Sequence, residues 1–180
     1  MRHAAKLDYP IDLRYLAMSV ITPYRDYARL QRYSKGLPGD YDKLAETGWA
    51  ARNMTLSNED RFIEQLPGKL LSMERPYLLF LELPAIDTPN PVLPAHRDYG
   101  KKSAINVYIE TAGELTKFYH WNNATQSSDF VEEFCAADED VWLMDTDTPH
   151  SVTLKPNKAR KMISFCFPTL KYERVLECFQ

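Results

Sequence analysis

From Pro76 onward the chain is a succession of short runs rich in β-branched and aromatic residues, with no amphipathic helix between them that would carry a crossover. This pattern limits the fold most, because parallel strands need long crossover connections whereas antiparallel strands need only turns. The runs expected as strands are Tyr77–Leu83, Ser103–Glu110, Leu115–Trp121, Asp140–Met144, His150–Leu154, Arg160–Phe167 and Tyr172–Phe179. Six or more strands joined in this way predict an antiparallel barrel or a double-sheet jelly roll.

The first 75 residues read differently. Apolar residues recur at helical spacing between Ile11 and Arg32, with a break at Pro23, so short helices are expected there. Leu37-Pro38-Gly39-Asp40 reads as a turn. Ser57-Asn58-Glu59-Asp60 reads as the start of a helix that Pro67-Gly68 stops. A mostly helical layer (1–75) flanking a β core (76–180) is the expected organisation, within one domain of 180 residues.

Charge and cysteine usage narrow the classes further. The net charge is −3, and the acidic surplus lies in the strand-rich part, which disfavours a nucleic-acid groove. Cys135, Cys166 and Cys178 are odd in number and contain no C-x-x-C pair, so reduced thiols are expected. No apolar run fits a signal peptide or a membrane span, and an intracellular, cytoplasmic setting is the expectation.

Two motifs carry chemistry. Pro94-Ala95-His96-Arg97-Asp98-Tyr99 contains H-x-D, and in an extended segment residues i and i+2 point to the same side, so His96 and Asp98 can converge. Pro149-His150-Ser151-Val152 opens a later strand after the turn-rich Asp145-Thr146-Asp147-Thr148. Two histidines and one carboxylate make the facial set preferred by non-haem Fe(II), with three coordination positions left open. Arg160 follows at the start of the next run. If that run and the His150 strand are antiparallel neighbours, its guanidinium can enter the same space and clamp a carboxylate, with Met162 and Ser164 on its face.

In order and spacing, His96, Asp98, His150 and Arg160 resemble the signature of the Fe(II)- and 2-oxoglutarate-dependent oxygenases, over residues 77–167. The resemblance implies a double-stranded β-helix, that is, a jelly roll of the cupin kind. It also implies iron held by His96, Asp98 and His150, and 2-oxoglutarate held at its far carboxylate by Arg160. Dioxygen would convert that cosubstrate to succinate and carbon dioxide while a substrate is oxidised, as in a hydroxylase. The gap between Asp98 and His150 is compact for the family, so substrate would be gripped by the amino-terminal helices and short loops. A peptide side chain is the preferred substrate class, ahead of a small molecule, with nucleic acid disfavoured.

Strand parity adds second-tier candidates. Ala104, Asn106 and Tyr108 share one face of Ser103–Glu110, and if that face looks inward, Asn106 or Tyr108 would contact 2-oxoglutarate together with Ser164. Tyr119 or Trp121 would line a substrate pocket, and His120 is a spare imidazole. His96-Arg97-Asp98 also imitates the H-R-D of protein kinases, but position 103 is Ser where that motif needs Asn. No G-x-S-x-G elbow nominates a hydrolase nucleophile. A cupin-like metal enzyme of other chemistry and a non-catalytic binding module on the same scaffold stay open.

Overall fold

The computed structural model describes residues 2–23, 52–83, 85, 92–98, 100–122 and 127–180. Among them, eleven strands form two antiparallel sheets packed face to face. The larger sheet contains β1 (Ala4–Lys6), β2 (Ile21–Pro23), β3 (Arg52–Leu56), β4 (Tyr77–Leu83), β6 (Ser103–Glu110), β9 (Val141–Asp145) and β11 (Arg160–Phe167), in the order β1-β9-β6-β11-β4-β3-β2. The smaller contains β5 (Val92–His96), β7 (Leu115–Asn122), β8 (Ser127–Cys135) and β10 (His150–Thr153), in the order β5-β10-β7-β8. Consecutive strands switch repeatedly between the sheets. With its flanking helices this is the jelly-roll, cupin-like architecture.

Alternation along β6 and β11 divides the interior into two layers. Ile105, Val107, Ile163, Phe165 and Phe167 face α1 (Glu59–Ile63), α2 (Gly68–Met73) and α3 (Tyr172–Leu176), where Phe62, Ile63, Leu70 and Val175 complete the main core. Each fully buried Phe or Ile in this layer contributes roughly 2–3 kcal/mol relative to exposure. The opposite parity, Ala104, Asn106 and Tyr108 on β6 and Met162 and Ser164 on β11, turns toward the smaller sheet, where Tyr108 and Met162 meet Phe118 and Phe134. Both faces of β6 are therefore covered, which is why all of Ser103 to Tyr108 is buried. The polar side of this strand looks inward, not to solvent.

Several expectations need correction. Tyr172–Phe179 is not a strand: α3 begins at Tyr172, and its apolar Tyr172 and Val175 three residues apart seat one helical face on the core. Within Ile11 to Arg32, the described part holds a 3-10 turn, Leu13–Met18, followed by strand β2; residues 24–32 and the turn at 37–40 lie outside the described residues. Pro67-Gly68 does end the first helical stretch, but it also opens α2, where proline's missing N–H costs nothing. The described part of residues 1–75 supplies three strands to the larger sheet as well as short helices. Finally, β10 and β11 are not hydrogen-bonded neighbours. β10 pairs with β5 and β7, β11 with β4 and β6, and the turn between them crosses from one sheet to the other.

Candidate metal centre

Strand pairing builds the centre. The register of β10 on β5 sets His150 directly opposite His96, and the ladder shifts immediately afterwards, between His150 and Val152. Such irregularities re-aim side chains at the rim of a sheet. The two imidazole rings lie with centroids 4.5 Å apart and tilted by 50°. Two residues beyond His96, the Asp98 amide donates to the Thr146 carbonyl at 3.0 Å, which ties the chain after β5 to the loop before β10. Asp98 Oδ1 then lies 3.5 Å from His96 Nε2, and Oδ2 lies 3.9 Å from His150 Nε2. One ligand atom from each of His96, Asp98 and His150 falls within 4.8 Å of the others. Among the described residues this is the one such group of three.

The protonation states suit a cation. His150 Nδ1 donates to the Thr148 carbonyl at 3.0 Å, and a carbonyl can only accept, so Nε2 is the nitrogen left for a ligand bond. Burial, then the neighbouring His96, lowers the His150 pKa to about 4, so the imidazole is neutral at neutral pH. Burial works against charge on Asp98, but Lys101 and then the two histidines hold its carboxyl well below the usual range. Lys101 Nζ sits 3.1 Å from Asp98 Oδ2. Burial opposes its charge too, and Asp98 more than compensates, so Lys101 stays protonated above the ordinary lysine value.

Arg160 enters from the facing sheet. It is buried, as is Glu114, and its Nε donates to Glu114 Oε1 at 2.8 Å. Glu114 Oε2 accepts from the Ala112 amide. The turn that delivers this carboxylate inward passes through Gly113 at φ +61°, a left-handed conformation that glycine adopts without strain. The Arg160 guanidinium carbon lies 5.7 Å over the Tyr108 ring. Burial, with Arg160 pulling the other way, pushes the Tyr108 phenol up to about 12. Tyr108 Oη and Thr116 Oγ1 are both fully buried and make no well-formed hydrogen bond among the described residues, although Arg160 and Asn106 interact with the phenol. Thr116 shares its strand face with Phe118, whose ring lies 5.7 Å from His150.

The other predicted residues have settled positions. Ser164 Oγ donates to Asn106 Oδ1 at 2.7 Å, and Asn106 Nδ2 contacts Met144 Sδ, so these two polar groups satisfy each other in the wall. Tyr119 does not line the interior: its Oη bonds Ser151 Oγ on the face of β10 opposite His150. The Trp121 side chain lies outside the described residues. His120 Nε2 bonds His3 Nε2 at 3.1 Å, away from the triad. His3 is itself buried, and its Nδ1 lies 2.9 Å from Asp145 Oδ2 and 3.1 Å from Thr148 Oγ1. All three cysteines are free thiols.

Sequence reading missed Lys101, Glu114, Thr116 and His3. Lys101 had a faint signal, a lysine three residues after the acidic ligand. Glu114 and Thr116 gain meaning only when one sheet faces the other, and His3 only when β1 docks on β9.

No protein-family model matches the sequence, and no curated protein matches it. Among solved structures, the chain is similar to a Pseudomonas putida prolyl-4-hydroxylase at 15% identity and TM-score 0.49, covering 92% of this chain and 93% of that one. It is similar to a 2OG-Fe(II) oxygenase family oxidoreductase from Burkholderia pseudomallei at 13% identity and TM-score 0.43, covering 90% of each chain. A third likeness is AviO1 from Streptomyces viridochromogenes, at 13% and 0.42, covering 93% of this chain and 90% of that one. Hazelnut vicilin also overlaps 65% of the chain at 13% identity and TM-score 0.39, but this chain spans only 29% of its length. At these identities and TM-scores the likenesses carry no functional weight, and the chemistry has to come from the site.

Proposed function

We propose that the chain is an Fe(II)- and 2-oxoglutarate-dependent oxygenase, and specifically a hydroxylase acting on a peptide side chain. The observation that carries this reading is the convergence of His96, Asp98 and His150 from a cross-strand pair and the turn beyond it. Two neutral imidazoles and one carboxylate are the donor set that suits non-haem Fe(II). The 2-oxo acid fits the residues behind that centre. Arg160 is anchored to Glu114 through Nε and lies beside the Tyr108 phenol, and Tyr108 Oη and Thr116 Oγ1 are buried hydroxyls with no well-formed hydrogen bond among the described residues. Buried polar groups of this kind find a ligand or remain a cost.

When bound, iron and 2-oxoglutarate together supply the activation of dioxygen. The chain's own part is to bind, orient and shield. The Thr148 carbonyl fixes the tautomer of His150, and Lys101 holds Asp98. Arg160, with Tyr108 and Thr116, would receive the far carboxylate, while Asn106 and Ser164 close the wall beside it. Phe118, Met162 and Tyr108 exclude water from the space between the sheets.

One observation favours a second reading, a cupin-like metal enzyme that does not use 2-oxoglutarate: Glu114 already offsets the charge of Arg160. One experiment separates the two. Anaerobic protein with Fe(II) should develop a metal-to-ligand charge-transfer band when 2-oxoglutarate is added, and should release succinate in air. His96→Ala should abolish both. Metal binding without any spectral response to 2-oxoglutarate would favour the second reading, and succinate release over a peptide and metabolite panel identifies the substrate class.

A further inference from the structure

Among the described residues, two charged pairs lie at and behind this centre. Lys101 holds Asp98 at 3.1 Å beside the candidate metal ligands, and Arg160, on the facing sheet, holds Glu114 at 2.8 Å. Within each pair the charges cancel. A dication entering such a site adds its whole charge to a neutral set, and a dianion such as 2-oxoglutarate restores neutrality. With Lys101 removed, the same set would carry one negative charge, and after the metal bound it would suit a monoanion. Lys101 therefore compensates for Glu114, although the two are attached to different members of the site.

Its position has a second consequence. Asp98 Oδ2 carries the ammonium, while Oδ1 lies 3.5 Å from His96 Nε2. An oxygen already occupied by a lysine is a poor second ligand, and a carboxylate held at one oxygen leaves more of the coordination sphere open. The lysine side chain is only 14% exposed, so its charge is screened little by solvent.

We propose that Lys101 is a positioning residue that makes the centre selective for a doubly charged 2-oxo acid, by engaging one oxygen of Asp98 and by balancing the charge of Glu114. The proposal rests on the oxygenase reading for its anion and on the triad alone for its metal. It implies opposite effects on the two ligands. Removing the ammonium takes a competing cation away from Asp98, so metal should bind more tightly. The same change leaves the loaded site one charge short for a dianion, so 2-oxoglutarate should bind more weakly.

The test titrates the full chain, wild type, Lys101→Met and Lys101→Arg, with Co(II) under anaerobic conditions, and then titrates each cobalt-loaded protein with 2-oxoglutarate. Lys101→Met is expected to bind Co(II) several-fold more tightly and 2-oxoglutarate on the order of tenfold more weakly, with Lys101→Arg recovering most of the anion affinity. Parallel weakening of both ligands would mean that Lys101 merely supports the fold, and would overturn the proposal. Unchanged 2-oxoglutarate affinity in Lys101→Met would overturn it as well. If Lys101→Met does not fold, the arginine variant decides: it must retain both affinities, and loss of either defeats the proposal. Failure of the wild-type protein to bind 2-oxoglutarate would defeat the oxygenase reading instead, and the cobalt titration alone would then decide whether Lys101 governs the metal.

Discussion

His150 and the Arg160–Glu114 pair show how a single side chain depends on what surrounds it. In the metal-free protein the His150 pKa is about 4 against an ordinary 6.5. As pH falls below about 6.5 the unfolded chain takes up this proton and the folded chain does not, so folding stability drops until about pH 4 and no further on this account. The full effect is about 3 kcal/mol, readable as a fall in the urea midpoint of metal-free protein between pH 7 and pH 4. Asp98 acts in the same direction in a lower window: its lowered pKa adds stability above the ordinary carboxylate value, which is lost as pH falls further. For the facing pair, Arg160→Met leaves the Glu114 carboxylate buried without its cation. A loss of about 3–5 kcal/mol is expected, with most of it recovered in the double variant with Glu114→Gln. A double-mutant cycle in urea measures this directly, and additive losses would show that the pair is not coupled.

At the scale of elements, the short amino-terminal strand reaches the metal ligands indirectly. β1 pairs with β9 through Ala4 and Met144, which brings His3 against Asp145 and Thr148. The same Thr148 presents its carbonyl to His150. A strand of three residues thus braces the loop that orients a ligand. His3→Ala should lower Zn(II) affinity by about tenfold while the sheets remain intact, since groups that orient a ligand typically matter by that much. A competition titration with a chelating dye checks it, and unchanged affinity would show that the loop holds its shape without β1. β10 falls within a run expected as a strand, whereas β5 is not among the expected strands and only the segment around His96 reads as extended; the pairing of the two is not readable. His96 and Asp98 are related by simple i, i+2 geometry, whereas the His96–His150 pairing depends on a register with a shift in it.

For the whole molecule, the centre joins two segments distant in sequence, and ligand binding should therefore stabilise the entire fold. Metal present at a hundred times its dissociation constant stabilises by about 2.7 kcal/mol. For a domain of this size that corresponds to a rise in Tm of roughly 5–10 °C. Differential scanning fluorimetry with Zn(II) or anaerobic Fe(II) should show this rise in the wild-type protein and none in His96→Ala. A rise that persists in His96→Ala would place the binding elsewhere. Among the described residues no helix is long and apolar enough to cross a membrane.

Sequence alone determined the local facts. Alternation and turn residues define β4, β6 and β11 to the residue, and H-x-D in an extended segment sets two ligand side chains on one side. Local chemistry is sufficient there because the period of a strand and the reach of a side chain are fixed by the backbone. The sequence also nominated Arg160, but by the wrong route, as a hairpin neighbour of His150. Tertiary structure decided everything that depends on one sheet facing another. It placed β10 and β11 in different sheets, turned Asn106 and Tyr108 inward, brought Glu114 to Arg160, and carried His3 to the loop behind His150. These contacts join residues far apart in the chain, and their free energy comes from burying apolar surface that no short segment can bury by itself.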